Sequence, residues 1–186
     1  SIYWPDFYYF THRLIMLLKP GIAILVLILC LHGNSVLGQA CTTLGQTPTT
    51  AFPVCGTTTF EQDNVPICSS NDLFVPGCAD GAGYANKNPF WYKFTCYVSG
   101  TLAFVITPKD LADDYDWQLY DVTGLDPNQV FTNHNIIVSG NWAGNPGSTG
   151  TSASGSDGIQ CASSYTGNEP RFAKMPNLIA GHEYIL

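Results

Sequence analysis

The chain has 186 residues, with seven Lys and Arg against fourteen Asp and Glu and a net charge of −7. That acidity argues against a nucleic-acid partner, because binding a phosphate backbone needs a basic face. Charged residues make up only 11%, against 18 glycines and 13% aromatics. Such a composition suits short strands joined by turns.

Residues 1–15, "SIYWPDFYYFTHRLI", are aromatic-rich and aperiodic and precede the first methionine, Met16. They read as a non-native upstream segment. From Met16 the text changes: Lys19 gives a short basic n-region, and "GIAILVLILCL" is an apolar run that falls short of the about 20 residues a bilayer span needs. "GNSVLGQA" then offers small residues for cleavage after Gly38 or Ala40. Residues 16–38 are therefore expected to be a cleaved export signal, the only contact with a membrane that the sequence calls for. Export would place the protein outside the cell or on its surface.

Of the seven cysteines, Cys30 lies in that signal, leaving Cys41, Cys55, Cys68, Cys78, Cys96 and Cys161. An even set after an export signal predicts disulfides, with the pairing left open. A zinc site is disfavoured because no Cys-x-x-Cys pair is present. Four of the six fall within 39–85, where regular strands are scarce, so the bridges are expected to staple a loop-rich N-terminal region.

Residues 86–186 carry the strand signals. In "FWYKFTCYV", Phe90, Tyr92, Phe94, Cys96 and Val98 alternate with Trp91, Lys93, Thr95 and Tyr97. "SG" and "TLAFVITP" follow, with Leu102, Phe104 and Ile106 inward, which predicts a hairpin. "YDWQLYDV" is a third strand, with Tyr115, Trp117 and Leu119 on one face and Asp116, Gln118 and Tyr120 on the other. "HNIIVSG" and "HEYIL" are two more. The polar stretch "SGNWAGNPGSTGTSASGSDG" between them reads as a long surface loop. No helical period is sustained. The fold expected is all-β, an antiparallel, jelly-roll-like β-sandwich. "AGHEYIL" stops at Leu186 inside what reads as a strand, without a partner to follow. The module is expected to be truncated at that end.

The run "NPFWYKFTCYVSGTLAFVITPKDLADDYDWQLYDVTG", with the Gly/Ser-rich stretch and "AGHEYIL" after it, resembles bacterial prepeptidase C-terminal-like β-sandwich modules. It is more similar still to related N-terminal modules of large secreted and surface proteins of Bacteroidota, of the type IX secretion or gliding-associated kind. The resemblance spans roughly 86–186. It implies a non-catalytic module serving adhesion or structural support, with cell-surface glycans or other surface proteins as partners. Some prepeptidase-type modules bind Ca²⁺ near a strand matching "DYDW". Asp114 and Asp116 carry over, and Asp113 stands beside them.

Calcium needs six to eight oxygen ligands, and the EF-hand spacing is absent. The competing reading of Asp113, Asp114 and Asp116 is a charged strand edge that discourages edge pairing. "GTSA" at 150–153 lacks the context of a catalytic serine motif. Trp91, Tyr97, Tyr120 and Trp142 raise the alternative of an exposed aromatic platform for sugars, set against burial of Trp91 and Tyr97. A carbohydrate-binding module and an accessory domain of a secreted hydrolase are the alternative functions.

Overall fold

The computed structural model describes residues 41–186, apart from 55–58, 64, 66–67, 69–70, 80–82 and 163–169. The expected upstream segment and export signal fall outside the described residues, as does Cys55. Among the described residues no helix is long and apolar enough to cross a membrane. Gly38–Leu186 forms one compact unit.

Among the described residues the unit is built of strands, with three short 3-10 helices at Pro48–Thr50, Pro127–Phe131 and His134–Ile136. A five-stranded sheet runs in the order β1 (Phe52–Pro53), β2 (Tyr92–Thr95), β10 (Glu183–Ile185), β5 (Trp117–Asp121), β6 (Ile137–Asn141). β3 (Gly100–Thr101) pairs with β9 (Asn177–Leu178). β4 (Val105–Ile106), β7 (Thr149–Ser152) and β8 (Phe172–Lys174) form a three-stranded sheet. The architecture is all-β with several sheets. It is not wholly antiparallel: β1 runs parallel to β2, and β7 parallel to β8.

Alternation along β5 explains how the large sheet is covered on both faces. Trp117 and Leu119 join Cys96, Ala173, Leu178 and Tyr184 in one apolar cluster, with Phe94, Leu102 and Phe104 packed against it. Tyr120 and Val122 join Trp91, Ala51, Val130, Ile136 and Ile185 in another. Strands of the smaller sheets supply the first cover. The 3-10 helices and the N-terminal chain supply the second.

Three expectations are corrected here. The predicted hairpin does not form, because β2 pairs with β10 and β1, while the chain after Cys96 crosses to β9 and β7. The period of two was legible, but it carries no information about the partner strand. Residues 139–158 are not a surface loop. They contain the end of β6 and all of β7, and Trp142, Ala143, Asn145, Thr149 and Thr151 are buried. The hydroxyl of Thr149 accepts from Trp117 Nε1 at 3.1 Å and donates to the Arg171 carbonyl at 2.7 Å. That of Thr151 donates to the Leu102 carbonyl at 2.9 Å and accepts from Phe104 N at 3.1 Å. Satisfied hydroxyls can be buried at little penalty. Gly150 between them has φ +144°, and a Cβ there would run into the Phe104 carbonyl. Finally, β10 is no open edge, since β2 and β5 pair with it on its two sides.

Disulfides join Cys41 to Cys68 and Cys78 to Cys161. Only the first lies within the loop-rich stretch; the second fastens that stretch to the strand region. Cys96, expected in a bridge, is a buried free thiol. Its Sγ donates to the Val98 carbonyl at 3.2 Å. Sitting in the apolar cluster under the large sheet, it packs as a small hydrophobe.

Candidate functional site

The acidic run lies between β4 and β5. Asp110 makes an Asx turn, accepting from Ala112 N at 2.9 Å, and its carbonyl accepts from Asp113 N at 3.0 Å. The Asp113 carbonyl is in turn bonded by Gly147 N at 2.9 Å. Crowding by the surrounding chain, followed by the like charge of Asp114, pushes the Asp116 carboxyl up to about 7. Burial also raises Asp114. Both side chains keep exposed surface, so water limits the free energy this crowding carries.

Among the described residues, no group of three or more His, Cys, Asp or Glu side chains could hold a metal ion. A calcium ion drawn to Asp114 and Asp116 would therefore take its remaining ligands from backbone carbonyls and water.

A second constellation escaped the sequence reading. His182 Nδ1 lies 2.6 Å from Asp121 Oδ2. Thr123 donates to Asp121 Oδ1 from its hydroxyl at 2.6 Å and from its backbone at 3.1 Å. The same hydroxyl accepts from Glu183 N at 3.0 Å. Burial works to raise the Asp121 carboxyl, but the Thr123 and His182 hydrogen bonds and the His182 charge outweigh it and hold it below its usual range. These bonds clamp the end of β5 to the start of β10. His182 and Asp121 stand 61 residues apart, so no local motif could have announced them. Ser152 of "GTSA" lies on β7, in the other sheet, and the Ser-His-Asp reading gains nothing from this pair. His134 stacks on Phe74 with ring centroids 3.8 Å apart.

The aromatic platform is overturned by burial. Trp91, Tyr120 and Trp142 are 4%, 1% and 7% exposed, and only Tyr97, at 85%, faces solvent. The burial set against that platform holds for Trp91 and fails for Tyr97. Trp142 Nε1 donates to Gln118 Oε1 at 2.9 Å, while Gln118 Nε2 donates to the Phe74 carbonyl at 3.0 Å and to the Tyr120 hydroxyl at 2.9 Å. Gln118 thus pins the chain at Phe74 onto the large sheet.

Tyr97 belongs instead to an apolar tip. Gly181 N donates to the Cys96 carbonyl at 2.7 Å and Ala180 N to Ser99 Oγ at 2.8 Å. These bonds hold two turns side by side, and Tyr97, Val98 and Ile179, carried on or next to them, are exposed. A wide cleft of about 970 Å³ opens nearby, with Phe94, Leu102, Phe104, Tyr184 and Leu186 in its walls.

No protein-family model matches the chain, and no curated protein or solved structure matches it either. Two disulfides and an all-β unit therefore define its class: a protein built for an oxidising, extracellular-type environment.

Proposed function

We propose that the chain carries a non-catalytic β-sandwich module of an exported protein, secreted or displayed on the cell surface, of the prepeptidase-like kind found in Bacteroidota. Its role in this reading is adhesion or structural support. The observation that carries the proposal is the Cys78–Cys161 bridge, which closes a long loop across the unit and presupposes an oxidising compartment. The exposed Tyr97, Val98 and Ile179, on two turns bonded to each other, support the adhesive part, since exposed apolar surface can mark contact sites.

Expression of the full chain in a Gram-negative host tests this. The product is expected outside the cytoplasm, beginning near Gln39, with a Cys78–Cys161 peptide on non-reducing mapping and Cys96 alkylated only after unfolding. A cytoplasmic product with a retained Met16 terminus, or with Cys78 and Cys161 reduced, would overturn the reading.

A further inference from the structure

We propose that Asp157–Gly158 is a site of spontaneous backbone modification, assisted by Lys174. There Asp157 closes a succinimide ring and reopens as isoaspartate, which loosens the cover on the outer edge of β8. Attack by a backbone amide on the aspartate before it is hindered by any side chain on the attacking residue, and glycine has none. Asp157–Gly158 is the one Asp-Gly pair among the described residues. Asn-Gly, which reacts through the same ring, does not occur in the chain. Asp157 and Gly158 are both exposed. Gly158 has φ +77°, and nothing lies within 4 Å of the place a Cβ would take. Among the described residues no backbone carbonyl accepts from its N–H, so the fold does not hold the nucleophile back.

The electrophile has a partner. Lys174 Nζ lies 3.0 Å from Asp157 Oδ1, with both side chains largely exposed. An ionised carboxylate resists attack at its carbon, because the incoming nitrogen pushes charge onto oxygens that already carry it. The ammonium offsets that charge and stands where it can give a proton to the departing oxygen. The step balances within the chain. A bond forms from Gly158 N to Asp157 Cγ, a Cγ–O bond breaks, and one water leaves with that oxygen, the amide hydrogen and a proton. Water then opens the ring at either carbonyl. Opening at the former main-chain carbonyl routes the backbone through the side chain, adds a methylene to it and frees an α-carboxylate.

The neighbouring residue gives this change a structural effect. Ser156 N donates to the Phe172 carbonyl at 2.9 Å, and the Ser156 carbonyl accepts from Lys174 N at 2.9 Å. The Ser156 hydroxyl donates to the same Phe172 carbonyl at 3.3 Å. Ser156 thereby bridges to Ala173 and covers the edge of β8 that β7 leaves open. A longer backbone at the next residue redirects the chain leaving that bridge. An uncovered strand edge invites pairing with other chains.

The test incubates the oxidised full chain near neutral pH for weeks. Isoaspartate at position 157 is read by electron-transfer fragmentation and by isoaspartyl methyltransferase labelling. It is expected to rise steadily, preceded by a species lighter by one water, while amide exchange at Lys174 speeds in the modified fraction. Asp157→Glu, which would need a larger ring, should abolish the signal. Asp157→Asn should raise it manyfold, with release of ammonia. Lys174→Met should slow it about twofold, the scale of an exposed ion pair. A parent chain that gains no isoaspartate at 157 overturns the proposal, as does modification that leaves Lys174 exchange unchanged. An unchanged rate in Lys174→Met overturns the assistance given to the ion pair. This chemistry is independent of the exported-module reading, which export and bridge mapping decide separately.

Discussion

The two faces of the five-stranded sheet are buried by different means. Under Trp117, Leu119 and Tyr184 the cover is other strands, and the packing is mainly apolar, with the Thr149 and Thr151 hydroxyls paired inside it. Over Trp91, Tyr120 and Ile185 the cover is irregular chain, and polar handles enter the interface: Gln118 bonds Trp142, Tyr120 and the Phe74 carbonyl. Strands satisfy their own backbone groups and can cover a face with side chains alone. Loops cannot, so their cover needs side-chain hydrogen bonds and covalent straps.

The sharpest way to break this contrast is to cut the strap. Removing the Cys78–Cys161 bridge by a paired Ser substitution should lower stability by about 4–5 kcal/mol, given a separation of 83 residues. The 27-residue Cys41–Cys68 loop should contribute less, about 3–4 kcal/mol on the same chain-entropy argument. Urea unfolding measures both, and equal losses would show that loop length does not govern the strap.

On the strand-covered face, Leu119→Ala should cost about 3–4 kcal/mol, the transfer term plus a cavity. Gln118→Leu, on the loop-covered face, should cost about 2 kcal/mol, because it takes partners from Trp142 and the Phe74 carbonyl. Amide exchange around Phe74 should accelerate in Gln118→Leu and stay unchanged in Leu119→Ala. The opposite pattern would refute the pinning role of Gln118.

The clamp at the sheet edge sets a pH signature. Asp121 has a folded-state carboxyl lower than its unfolded value. Its contribution is therefore present above about pH 4 and lost as pH falls through the folded value. Asp121→Asn should cost about 1 kcal/mol at pH 7 and progressively less toward pH 2, read from thermal melts.

Asp116 works in the other direction and is the smallest effect. Its carboxyl is raised to about 7 in the folded state, so the folded protein binds that proton more tightly. Stability then declines as pH rises from about 4 to about 7. Asp116→Asn should remove the decline and add less than about 1 kcal/mol at pH 8, since water screens the exposed side chain. Millimolar Ca²⁺ in place of EDTA at pH 8 sharpens the result. A melting shift that Asp116→Asn abolishes supports a calcium site, and no shift leaves strand-edge charges.

Several elements were legible without coordinates. The period of two in "YDWQLYDV" places Trp117 and Leu119 opposite Gln118 and Tyr120, as observed, because alternation is a property of the strand backbone itself; Tyr115, read onto the same face, precedes the strand and is exposed. The lack of a helical period and the disulfide habit of the chain were also legible. The candidate site was less so: the acidic run is visible as a string, but the His182–Asp121 clamp joins residues far apart in the chain.

What the sequence by itself determined was therefore local: an all-β chain, the residues that share a face, and cysteines suited to bridges. What only the tertiary structure decided was partnership. It paired β2 with β10 rather than with the strands that follow it, and it buried Tyr120 and Trp142 where alternation suggested solvent. It also turned a Gly/Ser/Thr-rich run into an interior strand and kept Cys96 as a thiol. The physical reason is common to all four. Side-chain periodicity states which groups point together, whereas burial and pairing depend on which distant segment covers them, and that is settled by the free energy of the whole assembly.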